Sequence, residues 1–186
     1  MQDNLMAVVI RQAALEMIPR LRILIAESAR GLATGDYTSE QIEGALGSAW
    51  GVDSQLIRDG TYFVAEVVGA EDEIIACGGW SKRKTLFGAD GQPGREPESL
   101  NPSIDSARIR AFFVHPNWAR RGIGKMLLEK CEAEARAHGF RSAELVATLP
   151  GERFYGSRSY LEQSRRDYPL PNGCSILFIT MRKDQL

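Results

Sequence analysis

Two arginines, two glycines and a lysine crowd positions 120–125, just after the apolar stretch Ala111-Phe112-Phe113-Val114 breaks at His115-Pro116. Apolar residues resume at Ile123, Leu127 and Leu128 with helical spacing. A strand, a glycine-containing turn and a helix start, in that order, aim several backbone N–H groups at one point. Those unpaired donors and the positive end of the helix dipole favour an anion. The cations beside them suit a phosphate or pyrophosphate. Arg120, Arg121, Gly122, Ile123, Gly124 and Lys125 are therefore candidate ligand-binding residues, and the plainer alternative is an ordinary turn before an amphipathic helix.

Two familiar phosphate loops do not fit. A nucleotide-hydrolase P-loop needs a first Gly where Ala119 stands and a Ser or Thr where Met126 stands. A dinucleotide fingerprint needs a third Gly where Leu127 stands. The pattern Arg121-Gly122-Ile123-Gly124, after a strand that ends Val114-His115-Pro116, resembles motif A of the GNAT superfamily of acyl-CoA-dependent N-acetyltransferases. The family writes that motif Q/R-x-x-G-x-G/A, and Ala119 departs from it at the first position. The resemblance implies that the loop backbone cradles the pyrophosphate of acetyl-CoA. It also implies that Phe112, Phe113 and Val114 flank the pantetheine arm, although the two phenylalanines serve equally as core side chains.

Acetyl transfer needs a neutral amine, donors for the developing oxyanion, and a proton for the leaving thiolate. The segment Phe154-Tyr155-Gly156-Ser157-Arg158-Ser159-Tyr160 resembles the family's F-Y-x-x-x-G-F/Y segment, with Ser159 in place of its Gly. On that resemblance Tyr155 contacts the coenzyme and protonates the thiolate. A phenol of ordinary pKa near ~10 keeps its proton at neutral pH. A packing role for Tyr155 is the alternative. The oxyanion donor would be a backbone N–H near Val114. Some relatives carry a Glu base early in the motif strand, where this chain has Arg108, a permanent cation. Glu144 and Asp105 are substitutes by expected position, and water is another. Arg108 and Arg110 alternate with Phe112 and Val114, so they either bind an anionic acceptor or form surface ion pairs. Trp80, Tyr37 and Trp50 are candidates for the acceptor wall or for core. His115, before Pro116, reads as a turn residue.

The elements that must position these residues follow from periodicity. Leu5–Ile10 suits a buried strand, and 13–30 suits a helix interrupted at Pro19. Thr38 and Gln41 form a capping box for a helix to about Trp50. Thr61–Val68 and Glu73–Trp80 read as strands about the turn 69–72. Residues 81–106 read as one long loop that could cover the acceptor site. The motif helix runs from Arg121 to His138, stops at Gly139, and buries Ile123, Leu127, Cys131 and Ala135. Lys125–Glu129 and Glu132–Arg136 are pairs on its wet face. A strand at 142–148, a short helix at 152–156 and strands at 161–168 and 174–182 complete the chain. The order predicts an α/β fold of mixed α+β type, one GNAT domain over 1–186, with a central mixed sheet flanked by helices.

Composition supplies the bounds. The chain has 186 residues, 25% of them charged, and a net charge of −1, which gives no general case for a nucleic-acid partner. Three scattered cysteines and two histidines offer no metal-ligand cluster, so no metal is expected. No apolar run reaches membrane-spanning length and no signal peptide is recognisable, so a cytoplasmic protein with free thiols is expected. The reading is an acyltransferase that moves acetyl directly from acetyl-CoA to a primary amine, of a small molecule in preference to a protein. A GNAT-fold acyl-CoA sensor without turnover is the alternative. The family resemblance allows a homodimer.

Overall fold

A computed structural model describes residues 7–69 and 73–186. Leu5 and Met6 of the expected first strand, and 70–72 of the expected turn, lie outside the described residues. Among the described residues the strands and α-helices follow one another as β1 (Val8–Gln12), α1 (Ile18–Leu32), α2 (Ser39–Ala45), α3 (Ser54–Arg58), β2 (Tyr62–Val67), β3 (Ile74–Ser81), β4 (Ala107–Val114), α4 (Ile123–Ala137), β5 (Ala143–Ala147), α5 (Leu149–Gly156), β6 (Leu161–Pro169) and β7 (Ser175–Lys183). The strands form one sheet in the order β1-β2-β3-β4-β5-β7-β6. Every neighbouring pair is antiparallel except β4 and β5.

Alternation along β2 shows how the sheet divides its core. Phe63, Ala65 and Val67 face α4, whose Ile123, Leu127, Cys131 and Ala135 are buried as its periodicity predicts. Tyr62 and Val64 face the other way, onto Leu21, Leu24 and Ile25 of α1 and Leu56 of α3. Gly139, at φ 90°, ends the α4 segment as expected.

Four local expectations change. Pro19 does not kink a helix: residues 15–17 form a short 3-10 turn and Pro19 sits in the first turn of α1, where its missing N–H has no partner to lose. The Thr38–Gln41 capping box is present, but α2 ends at Ala45 and a left-handed Gly47 turns the chain. The short helix α3, capped by Asp53, had no clear periodicity to announce it. Lys125 and Glu129 do pair, at 3.7 Å. Glu132 instead turns inward, accepting from the Tyr160 hydroxyl at 3.0 Å and from Lys183 at 2.9 Å.

The stretch between β3 and β4 is built rather than slack. Lys84 and Thr85 donate backbone hydrogen bonds to Glu98 and Glu96. Arg83 pairs with Asp59 at 2.6 Å and Arg95 with Asp53 at 2.6 Å, which fastens the stretch to the ends of α3.

Candidate active site

The site begins with a fault in the sheet. β3 and β4 pair Cys77 with Phe113 and Gly79 with Arg110, so Gly78 faces both Ala111 and Phe112. This is a β-bulge, and Ala111 carries it at φ 55°, a left-handed conformation that costs a non-glycine residue on the order of 1 kcal/mol. The buried Tyr62 hydroxyl donates to the Ala111 carbonyl at 3.0 Å and holds the bulge. A Cβ on Gly78 would lie 2.8 Å from the Phe112 ring, so the ring's position depends on that glycine.

The bulge reverses the side-chain alternation. Ile109, Phe112 and Val114 pack against the α4 side, whereas Ala111 and Phe113 pack against the α1 side. Arg110 therefore does not share a face with Phe112 and Val114, contrary to strict alternation. Its side chain is only 2% exposed and sits against Asp53 at 2.8 Å. It also donates to the carbonyls of Thr85 at 2.7 Å and Gly88 at 2.8 Å. Burial lowers its pKa to about 10, against the raising effect of Asp53, so it stays charged at neutral pH. Arg110 is a tie between the 82–100 stretch and α3, not a free anion receptor.

Arg108 forms an ion pair with Glu144 across the short β4–β5 ladder. That pairing removes Arg108 as a substrate receptor and Glu144 as a free base. Asp105 accepts from the Asn101 N–H at 2.7 Å within its own loop. Trp80 is fully buried between His138 and Phe140, a core residue rather than a pocket wall. Tyr37 is also structural: it donates to the Leu177 carbonyl at 3.0 Å and accepts from the Leu149 N–H at 2.9 Å.

Beyond Arg108 the ladder between β4 and β5 stops, while β5 continues to pair with β7. The two strands part, and a cavity of about 330 Å³ opens between them. Phe112, Phe113, Val114, Arg120, Gly124, Phe154 and Tyr155 line it, as do Trp50, Phe87 and Phe178 from elsewhere in the chain. Trp50 keeps a buried indole N–H that finds no partner among the described residues.

At the end of β4 the loop makes the anion cradle. His115 caps a 3-10 turn by accepting from the Asn117 N–H at 3.2 Å, the turn role expected of it. Arg120 and Gly122 follow in left-handed conformations, with φ 64° and 84°. Among the described residues, nothing accepts from the N–H groups of residues 120–125. Such a curl of free N–H groups at a helix start is an anion-binding nest. The three cations divide. Arg120 lines the cavity, Arg121 lies over the Trp118 ring at 4.9 Å, and Lys125 leans along α4 to Glu129.

Tyr155 projects from α5, its ring 5.0 Å from Phe154, 5.8 Å from Tyr160 and 6.3 Å from Phe112 by centroids. Thr148 caps that helix and Pro150 occupies its first turn, so the Pro-Gly expected to precede the helix lies within it. The Tyr155 hydroxyl has no hydrogen-bond partner among the described residues, and burial holds its pKa well above the ordinary phenol value. A hydroxyl that keeps its proton beside a cavity can act as a proton donor. Sequence reasoning missed Ser28. Its buried Oγ accepts from the Val114 N–H at 3.2 Å, and it too lines the cavity. Nothing local marks it, because the contact spans 86 residues of chain.

Residues 26–159 match the model of the acetyltransferase (GNAT) family. The chain belongs to that family. Its members are acyltransferases that work with coenzyme A, and this chain is an enzyme of that class. Similar folds come from a GCN5-related N-acetyltransferase of Rhodopseudomonas palustris (TM-score 0.68, 20% identity, 95% of this chain and 94% of that one). The PaiA N-acetyltransferase of Thermoplasma acidophilum, solved with coenzyme A, gives TM-score 0.64 at 16% identity over 96% and 99% of the two chains. The ribosomal-protein-S18-alanine N-acetyltransferase of Escherichia coli gives 0.55 at 16% over 97% and 96%. Comparison with curated proteins yields no match. The mixed sheet flanked by helices is thus a GNAT fold. Among the described residues no His, Cys, Asp and Glu group is placed to hold a metal, and no helix is long and apolar enough to cross a membrane.

Proposed function

We propose that this GNAT enzyme transfers acetyl from acetyl-CoA directly to an amine of a small molecule. One observation carries the reading. A single cavity joins the loop of unpaired N–H groups to the parted strands and to the unpartnered Tyr155 hydroxyl. The fit to the coenzyme is chemical: residues 120–125 offer donors for a pyrophosphate, and the open edge of β4 beyond Arg108 offers backbone groups for an amide-bearing arm. Acetyl-CoA supplies the activated acyl group. Tyr155 would supply the proton that the departing thiolate takes up, and the Ser28 hydroxyl, which accepts the Val114 N–H, would face the acyl oxygen.

Among the described residues, none that lines the cavity is an Asp, Glu, His, Lys or Cys. That absence of a base favours a second reading, an acyl-CoA sensor. Release of free thiol from acetyl-CoA, measured against a panel of small amines with the acetylated product identified by mass, separates the two. Amine-dependent release is expected. Tight coenzyme binding with no release from any amine would leave the sensor.

A further inference from the structure

The acceptor end of the cavity has an unusual combination of walls. Arg110 lies four residues before Val114 on β4, with the bulge at Ala111 between them, and its bonds to Thr85 and Gly88 bring the 86–88 stretch to that end. There Trp50, Phe87, Phe113 and Phe178 line the cavity. Phe87 meets the Phe178 ring edge-on at 5.3 Å and the Tyr168 ring at 5.0 Å, so the wall is a packed aromatic cluster. Its charge is as telling. Among the described residues, the ionisable side chains lining the cavity are Arg110, Arg120 and Tyr155. Arg120 belongs to the loop at the far end, and Arg110 is consumed by Asp53 and two carbonyls.

An alkylammonium ion entering this end would lose water and meet no carboxylate on the cavity lining to replace it. No lining side chain could take its proton. A carboxylated acceptor would find no uncompensated cation there, because the Arg110 charge is already paired with Asp53 at 2.8 Å. A neutral ring meets none of these penalties and matches the aromatic walls.

We infer that the acceptor is an aromatic amine with no charged group at physiological pH, neither ammonium nor carboxylate, its lone pair shared with the ring. The inference rests on the acyltransferase reading above and names the acceptor class for that same site. The transfer balances without an enzyme base. The amine lone pair forms the C–N bond, the C–S bond breaks with its electron pair on sulfur, and sulfur takes the Tyr155 proton. The surplus proton on nitrogen passes to water at the cavity mouth, and water restores Tyr155. An amine of lysine-like basicity is neutral in only about one molecule in 10³ at neutral pH, whereas an arylamine is neutral throughout.

The test uses the full chain with acetyl-CoA and four acceptors: aniline, benzylamine, 4-aminobenzoate and spermidine. Aniline is expected to give the highest kcat/KM at neutral pH, at least about tenfold above benzylamine, with a flat profile between about pH 6 and 9. Benzylamine should rise about tenfold per pH unit towards its own pKa, the mark of a neutral acceptor and no enzyme base. Phe87→Leu should raise the KM for aniline several-fold and leave the KM for acetyl-CoA unchanged. Turnover that favours spermidine, 4-aminobenzoate or benzylamine at neutral pH, or an unaltered aniline KM in Phe87→Leu, overturns this inference alone. Release from none of the four or from any other amine overturns the acyltransferase reading as well.

Discussion

Tyr155 and Ser28 face the same cavity, and they differ in how they could be found. Tyr155 stands in a recognisable Phe-Tyr segment and its hydroxyl is left unpaired. Because burial raises its pKa, the protonated form persists beyond the ordinary phenol range, so activity should not decline through Tyr155 ionisation below about pH 10. Tyr155→Phe should lower kcat by about 10²-fold with little change in coenzyme affinity. Single-turnover rates beside calorimetric titration would check this, and wild-type turnover would remove the residue from the mechanism. Ser28 accepts the Val114 N–H, and its own proton has no acceptor among the described residues. Its hydroxyl is thus the free donor at this point, polarised by the amide N–H that it accepts. Ser28→Ala should lower kcat by about 10-fold or more while acetyl-CoA binding holds, as loss of one oxyanion donor does. A faster variant would mean that Ser28 blocks the amide instead. No sequence pattern shows this pairing, because helical periodicity marks Ser28 only as one more position on α1. Trp80 misleads in the opposite direction: an aromatic residue near the motif strand invites a pocket role, and the packing of His138 and Phe140 around it makes it core.

At the scale of elements, the periodic parts of the chain were legible and the aperiodic parts were not. The buried stripe of α4 and the Thr38 capping box rest on local rules, and both stand in the fold. The bulge at Ala111 rests on a glycine in a neighbouring strand and a tyrosine in the next one, which no window along β4 contains. The stretch from 81 to 106 reads as a free loop in sequence because its order comes from ion pairs with distant partners. Asp53 is the centre of that order: it caps α3 and receives both Arg95 and the buried Arg110. Asp53→Asn leaves a guanidinium buried without its countercharge, and breaking such a pair costs about 3–5 kcal/mol. Urea unfolding should show a loss of that size, with the largest gain in protease sensitivity between residues 82 and 100. A loss below about 1 kcal/mol, the range of exposed pairs, would show the network to be only a surface feature. On the same geometry Arg110→Ala should lower stability and affect acidic and neutral acceptors alike.

For the whole molecule, the consequence is a sheet held open along one seam. β4 and β5 share a ladder only at Ala107–Arg108 and Ala143–Glu144, and the loop beyond β4 leaves its N–H groups unpaired. A bound coenzyme would therefore supply hydrogen bonds that the fold itself lacks. Saturation at about 100 times Kd should stabilise the chain by about 2.7 kcal/mol. Amide exchange should slow most at residues 120–125 and along β4 from Ile109 to Val114, with no comparable change at the edge strands β1 and β6. Gly124→Glu separates this from general tightening. A Cβ at Gly124 lies 3.5 Å from Phe154, ordinary contact, so the backbone tolerates a side chain there. The carboxylate, however, sits at the cradle and repels a pyrophosphate. The variant should melt near the wild-type temperature without ligand and lose both the coenzyme-induced shift and the exchange protection. If it keeps both, the phosphate does not sit on this loop.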